Sequence, residues 1–254
     1  MSGRLLVHRT AIVVGLQNHR EADRVVRLLV PESGRITALA RSARSSTKRF
    51  GGALDIGNRL EVSLRPPKSA EGWWGLESAT LEDGRVHTRA DLSQLALVAY
   101  CTEICGQLAR EGHPEPKLFG LLDMALTVLD ALTGPAGDVF RVGLETKALT
   151  FAGLAPSLAH CVACSTPLAA PVRLTPDGAA HDHCVDRGSA VTVAWLAAAE
   201  GARRRPLRES IDLLMPEGPA WAFAEAIEVH LGRRLRSRPV LATLTQTPPP
   251  QTAP

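Results

Sequence analysis

Five short apolar runs occur in the first third of the chain, and residues typical of turns separate them. The runs cover residues 10–16, 23–30, 35–41, 58–64 and 73–81. In the fourth run, Leu60, Val62 and Leu64 alternate with charged or small polar residues, as in a strand that buries one face only. Five such strands within about 70 residues predict a small closed β-barrel.

The third run predicts a strand with two different faces. Its positions 36, 38 and 40 are apolar, whereas Arg35, Thr37 and Arg41 share the opposite side. We expect that second face to be basic and exposed.

After Asp83 the apolar positions recur three and four residues apart, which predicts amphipathic helices. The stripe of the first helix consists of Leu97, Cys101, Ile104, Cys105 and Leu108, and that of the second of Leu118, Leu122, Ala125, Leu129 and Leu132. Residues 139–153 predict a third helix. Helical patterning returns at Ala190 and ends in a stripe formed by Trp221, Ala224, Glu228, Leu231 and Leu235.

Between these helical regions, residues 154–187 are rich in Pro, Cys, His and Gly and show no periodicity. Such a segment needs something other than a core to hold it, and a metal ion is the natural candidate. We therefore predict an α+β protein: a five-stranded OB-fold barrel (1–82), an all-helical domain (83–240) with an inserted zinc-binding loop (155–188), and a disordered, proline-rich tail (241–254).

Bulk composition narrows the class of protein. The 254 residues, 45% of them hydrophobic, suffice for a core, and no apolar stretch is long enough to span a membrane or act as a secretory signal, so we expect a cytoplasmic protein. An odd count of five cysteines argues against a disulfide framework. Residues 1–80 carry 13 Lys and Arg against 7 Asp and Glu, which permits a polyanionic partner for the first domain.

The inserted loop contains two close pairs of metal-ligand residues. Cys161 and Cys164 form a CxxC pair, and His181 and Cys184 form an HxxC pair after sixteen further residues. Each pair can occupy two corners of a tetrahedral zinc site, and the loop brings the pairs together. Such a Zn²⁺ would be structural, because four protein ligands leave no position open for water.

Two other histidines in the loop are alternative fourth ligands. His160 and His183 each adjoin a cysteine, and a directly adjacent pair chelates poorly, so we favour His181. It also remains open that only the CxxC pair matters and that the histidines are solvated. Elsewhere, Cys101 and Cys105 lie one helical turn apart, and we interpret them as buried core thiols.

A basic loop follows the third predicted strand. The sequence RSARSSTKRFGG places Arg41, Arg44, Lys48 and Arg49 within nine residues that contain no acid. Such a loop can bind phosphates by charge and by hydrogen bonds from hydroxyls and free backbone amides, independently of base sequence. With Arg35, these residues form our predicted DNA-binding set, although a solvated loop is the simpler alternative.

Aromatic residues that could stack on bases are scarce, and Phe50, Trp73 and Trp74 are the candidates, with Trp74 equally suited to the core. Two further basic clusters either extend the DNA path or cap helix C-termini. They comprise Arg203, Arg204, Arg205 and Arg208, and Arg233, Arg234, Arg236 and Arg238.

Motifs of hydrolases, P-loop enzymes, dinucleotide-binding enzymes and metalloproteases are absent from the sequence, which favours a protein without catalytic residues. A nuclease that uses the zinc is a weaker alternative, because the ligand set is closed. A scaffold that binds protein partners through its helical domain, with incidental DNA binding, is the main competing class.

Several segments resemble the RecO family of recombination mediators in the same order along the chain. They are the stretch from AIVVGLQNHREADRVVRLLV to GGALDIGNRLEV, then HPEPKLFGLLDMALTVLDAL, FRVGLETKALTFAGLAPSLAHCVACS and VHLGRRLRSRPVL. The chain departs from that family at His181, which stands where a third cysteine is common.

This resemblance implies a non-enzymatic protein that binds single- and double-stranded DNA and anneals complementary strands. It also implies three protein relationships: binding to the acidic C-terminal tail of the single-stranded-DNA-binding protein, assembly with RecR, and loading of the RecA recombinase.

Overall fold

Five strands close an N-terminal barrel in the computed structural model, which describes residues 5–69 and 72–246. The strands are β1 (Val7–His19), β2 (Asp23–Val30), β3 (Gly34–Ala40), β4 (Arg59–Arg65) and β5 (Trp74–Asp83). They follow one another around the barrel in the order β1-β2-β3-β5-β4, and all neighbours are antiparallel except β3 and β5. The predicted barrel is confirmed, with strand ends shifted by a few residues.

Alternation along the strands fills the barrel with apolar side chains. Ile36 and Ala38 of β3 and Leu60, Val62 and Leu64 of β4 are all buried in one cluster. A short helix, α1 (Thr47–Phe50), lies within the basic loop, and Phe50 is buried in the same cluster. The barrel therefore has a hydrophobic core of its own.

The rest of the chain is mainly helical. Its helices are α2 (Leu92–Leu108), α3 (Pro116–Asp130), α4 (Asp138–Phe151), α5 (Val193–Arg204), α6 (Ala222–Leu231) and α7 (Ser237–Gln246). The predicted apolar stripes of α2 and α3 are buried in one core. Cys101 and Cys105 lie fully within it, as predicted, and burial raises the pKa of Cys105 to about 12, so this thiol stays protonated and inert.

The inserted segment contains regular structure that the sequence did not predict. Its strands β6 (Val172–Thr175) and β7 (Gly178–His181) form an antiparallel sheet, in the order β7-β6-β8, with β8 (Ser189–Val191), which follows the predicted loop. Val172 and Leu174 are buried in the helical core. The expectation that this segment lacks a core was wrong, because strands of three or four residues are too short to show a period.

The C-terminal boundary also differs from the prediction. Residues 241–246 belong to α7, and Leu241 is buried against the helical core. The tail therefore cannot begin at residue 241, and residues 247–254 lie outside the described residues. None of the helices in the described ranges has the length and hydropathy that would let it cross a bilayer.

The barrel and the helical domain contact each other around the β2–β3 turn, both through backbone hydrogen bonds and through shared core residues. The N–H of Arg35 donates to the carbonyl of Arg110 at 3.1 Å, and the N–H of Glu115 donates to the carbonyl of Pro31 at 2.9 Å. Gly34 has φ +64°, and a Cβ there would lie 2.1 Å from the Arg110 oxygen. Ile12 and Leu29 of the barrel are buried in the helical core, so the two parts pack as one body.

Candidate nucleic-acid interface and metal centre

The basic loop has a defined shape because the β1–β2 turn holds its backbone. The N–H of Arg44 donates to the carbonyl of Ala22 at 3.0 Å, and the N–H of Ser42 donates to the Asp23 carboxylate at 2.8 Å. Ser46 caps α1 by accepting the N–H of Arg49. The loop therefore presents its cations from a fixed backbone.

Acidic side chains do not neutralise these cations. Arg41, Arg44 and Lys48 are exposed, and Arg49 lies half-buried with its guanidinium 5.0 Å from the centroid of Phe50. Within the described part of the chain, none of the four forms an ion pair, whereas arginines such as Arg85 do. The loop thus carries net positive charge that is available to a polyanion.

Arg41 and Arg49 face a cleft of about 740 Å³ on the barrel. Arg65, the last residue of β4, and Lys68, in the connection from β4 to β5, line the same cleft, and Arg65 pairs with Glu77 at 3.0 Å. Sequence reasoning missed both residues, because the parallel pairing of β3 with β5 is what brings this connection beside the basic loop. In the sequence, the only indication of this contribution is that Arg65 and Lys68 flank two prolines.

Only one of the three candidate stacking residues presents a largely open ring. Trp73 is 50% exposed, lines the cleft and contacts His19 edge-on, with ring centroids 5.7 Å apart. Trp74 also lines the cleft but is partly buried against the barrel core, and Phe50 is only 2% exposed. Trp73 is thus the residue placed to stack on a base.

Arg35 lies apart from the basic loop, and the expected open basic face of β3 is wrong at this position. Its guanidinium donates to the Gln107 side-chain oxygen at 3.1 Å and to the Gly106 carbonyl at 3.3 Å, and lies 3.8 Å from Glu111. The side chain is only 25% exposed, because the C-terminal end of α2 packs over this part of the strand.

Several arginines of the other two clusters are engaged in ion pairs within the protein. Arg203 and Arg204 lie in the last turn of α5, and both pair with Glu200, as expected for residues that close a helix. Arg238 pairs with Glu225 and Glu228.

The predicted metal ligands meet in space. The ligand atoms of Cys161, Cys164, His181 and Cys184 all lie within 4.8 Å of one another. Nδ1 of His181 is 3.5 Å from the Cys164 sulfur and 4.0 Å from the Cys184 sulfur. Corners of a tetrahedral zinc site with Zn–S and Zn–N bonds of ordinary length are about 3.5–3.8 Å apart, so these residues fit such an ion.

The alternative histidines do not join this cluster in the described structure. His183 stacks on the ring of His181 with centroids 5.4 Å apart, and His160 is exposed. On its other side, Nε2 of His181 lies 3.2 Å from the carbonyl oxygen of Pro167, which leaves Nδ1 to face the sulfurs.

The pKa values of the cysteines at this site shift in opposite directions. Burial acts to raise the pKa of Cys161, but the N–H groups of Cys164, His181 and Ala163 outweigh it and lower the pKa to about 6. Burial and the two neighbouring thiols raise the pKa of Cys184 to about 11. A bound cation would favour the thiolate form of all three cysteines and would cross-link the ends of the inserted segment.

Comparison with known proteins points to DNA repair. The family model described as "Recombination protein O N terminal" matches residues 1–84, and "Recombination protein O C terminal" matches residues 89–214. The chain is similar to "DNA repair protein RecO" of Anaeromyxobacter sp. (strain K), with 34% identity over 242 residues, covering 91% of this chain and 94% of that protein.

Other relatives give the same result. "DNA repair protein RecO" of Myxococcus xanthus is 36% identical over 239 residues, which cover 89% of this chain and 93% of the relative. "DNA repair protein RecO" of Geobacter sulfurreducens is 32% identical over 249 residues, which cover 92% of this chain and 97% of the relative. The similarity thus extends across both barrel and helical domain.

Proposed function

This chain belongs to the RecO family of DNA repair proteins, and we propose that it binds single- and double-stranded DNA and anneals complementary strands without catalysing a chemical reaction. It does so at the bacterial nucleoid in the cytoplasm. The observation that carries this proposal is the barrel cleft, where Arg41 and Arg49, which form no ion pair within the described residues, lie beside the exposed ring of Trp73.

The physical basis of annealing is charge compensation. Two DNA strands repel each other through their phosphates, and a protein that neutralises both lowers this barrier while base pairing drives the reaction. Arg41, Arg44, Lys48 and Arg49 supply this neutralisation on the barrel surface. Arg35, which is half-buried and hydrogen-bonded to α2, contributes at a separate place.

The family also supports three proposals about partners. We propose that the protein binds the C-terminal tail of the single-stranded-DNA-binding protein, assembles with RecR and promotes loading of RecA. We further propose that the Cys3His cluster binds Zn²⁺ as a structural ion, since its four protein ligands leave no open position for a substrate.

Charge reversal in the basic loop tests the DNA-binding proposal. Arg41→Glu, Arg44→Glu and Arg49→Glu together should weaken binding of a labelled oligonucleotide of any sequence. The plot of log affinity against log salt should become less steep by about 2 units for a single strand, because each lost phosphate contact removes about 0.7. Fluorescence polarisation at about 50 and 200 mM salt measures both effects.

A matched control reverses three exposed arginines elsewhere, namely Arg187, Arg205 and Arg208, with the same change in net charge. It should bind far more tightly than the basic-loop variant. Equal binding by both triple variants would contradict the assignment of the site. If the unmodified protein binds no oligonucleotide even at low salt, the scaffold function is favoured instead.

A further inference from the structure

A second basic groove lies where the barrel meets the helical domain. It has a volume of about 630 Å³ and is lined by arginines from two distant parts of the chain. Arg27 and Arg35 come from strands β2 and β3, and Arg233 and Arg236 come from the segment between α6 and α7. We call this feature the junction groove.

The junction groove carries excess positive charge. Its four arginines face two acids, Glu103 and Glu111. Glu103 is engaged in capping α7, since its two oxygens accept the N–H groups of Arg236 and Ser237 and the Ser237 hydroxyl at 2.6 to 3.0 Å.

The remaining acid is only loosely paired, with Glu111 3.8 Å from Arg35. Within the described ranges, the guanidinium groups of Arg27, Arg233 and Arg236 form no ion pair. Three cations in this groove are therefore available to an anionic ligand.

A third depression connects the junction groove to the barrel cleft. It has a volume of about 530 Å³ and shares Trp73 and Pro67 with the cleft. With the junction groove it shares Thr37 and Glu111. The three depressions thus adjoin one another beside β3 through shared lining residues, and we call this succession the track.

We propose that a single strand of DNA longer than the barrel cleft follows this track, and that Arg27, Arg233 and Arg236 bind its phosphates in the junction groove. The proposal rests on the DNA binding proposed above and extends the site to the helical domain. Arg35 and Arg41 lie about 20 Å apart along β3, at about 3.3 Å per residue. The track therefore spans several nucleotides.

The shape of the track favours a single strand over a duplex. A flexible strand can follow the surface from the cleft past Trp73 into the groove, whereas duplex DNA is stiff over about 150 base pairs and resists such a path. Stacking on Trp73 also requires an unpaired base. Binding in the junction groove should therefore be specific for single strands.

The test combines a double variant with oligonucleotides of two lengths. Arg233→Ala with Arg236→Ala removes the two arginine side chains that the helical domain contributes. The backbone N–H at position 236 can still donate to Glu103, so the cap of α7 is kept. Single strands of about 4 and about 30 nucleotides lie at the lower end of, and well above, the range of sizes that one OB fold binds. Polarisation at about 0.1 M salt gives the affinity for each.

The double variant should bind the long strand about tenfold more weakly, with a salt dependence less steep by about 1.4 units. The short strand and a duplex should bind within about twofold of the unmodified protein. Arg205→Ala with Arg208→Ala, an equal charge change away from the track, should leave all affinities unchanged. Circular dichroism and the unfolding midpoint confirm that both variants are folded.

Unchanged affinity of the double variant for the long strand would overturn the proposal. An equal loss for short and long strands would overturn it as well, because the effect would then be general electrostatics. Failure of the DNA-binding function itself gives a different result, since the unmodified protein would then bind neither length.

Discussion

At the scale of single residues, His181 decides whether the inserted loop can hold a metal. Its Nδ1 faces the sulfurs of Cys164 and Cys184, while Nε2 lies near the carbonyl oxygen of Pro167. Nε2 also lies 3.3 Å from the backbone nitrogen of Ala169. In the tautomer with the proton on Nε2, a hydrogen bond to the Pro167 carbonyl would orient the ring and leave the free electron pair of Nδ1 toward the ion. No other histidine among the described residues occupies this position.

We predict that His181→Ala loses most of its bound zinc, because three cysteines without the fourth ligand leave the coordination incomplete. Metal analysis of the purified variant by mass spectrometry measures the ratio of zinc to protein. His183→Ala removes the stacked neighbouring ring and should keep about one zinc per chain. Stoichiometric zinc in the His181 variant would transfer the ligand role to His183 or His160.

Site residues could be predicted from the sequence where the members of a site lie close together along the chain. The metal ligands form two pairs of three-residue spacing, so their assembly requires only that one loop closes. Arg65 and Lys68 could not be assigned to the cleft, because their position depends on the pairing of β3 with β5. The burial of Arg35 likewise depends on packing by α2, which no local pattern encodes.

At the scale of secondary-structure elements, α2 is the helix that packs on the barrel. Gly106 of this helix meets β1 closely, and a Cβ there would lie 2.9 Å from two carbon atoms of Val14. This distance is too short for ordinary packing, so any larger residue must push the helix away from the strand. Gly120 of α3 provides a contrast, since a Cβ there would meet nothing within 4 Å.

We predict opposite effects for the two glycine-to-alanine variants. Gly106→Ala should lower the free energy of unfolding by about 1 to 2 kcal/mol through overpacking against Val14. Gly120→Ala should raise it by about 0.5 to 1 kcal/mol, because alanine favours an exposed helix. Urea denaturation measures both values, and a stable Gly106 variant would show that α2 can move freely on the barrel.

Long elements were predictable from their periods, whereas short ones were not. The barrel strands and helices α2, α3 and α4 each contain enough residues to repeat an apolar pattern. Strand β8, of three residues, was instead assigned to a helical region. Helix α7 was missed because its Pro and Thr residues resemble the polar tail that follows.

At the scale of the whole molecule, the Cys3His cluster and the barrel cleft belong to parts of the protein with different cores. Val172 and Leu174 of the inserted sheet are buried with the helices, whereas the barrel has a separate cluster that includes Leu60 and Phe50. Loss of a metal should therefore weaken the helical domain first.

We predict that chelation lowers the thermal unfolding midpoint by about 5 to 10 °C, because the ion stabilises only the folded loop. Binding of a short oligonucleotide at room temperature should change by less than about twofold, since the barrel cleft contains no metal ligand. A Cys161→Ser variant serves as a control in which the chelator has little left to remove. Parallel loss of oligonucleotide binding on chelation would show that the two sites are coupled.

The backbone junction at Gly34 has a consequence for the thermodynamics of binding. Hydrogen bonds from Arg35 to Arg110 and from Glu115 to Pro31 hold the barrel against the connection between α2 and α3 before any ligand arrives. A protein with hinged domains loses rotational freedom when a long ligand bridges them, and that entropy loss reduces affinity. In this molecule the two parts are already held together at Gly34. A ligand that contacts both parts therefore need not immobilise one against the other, and each added phosphate contact can contribute fully to affinity.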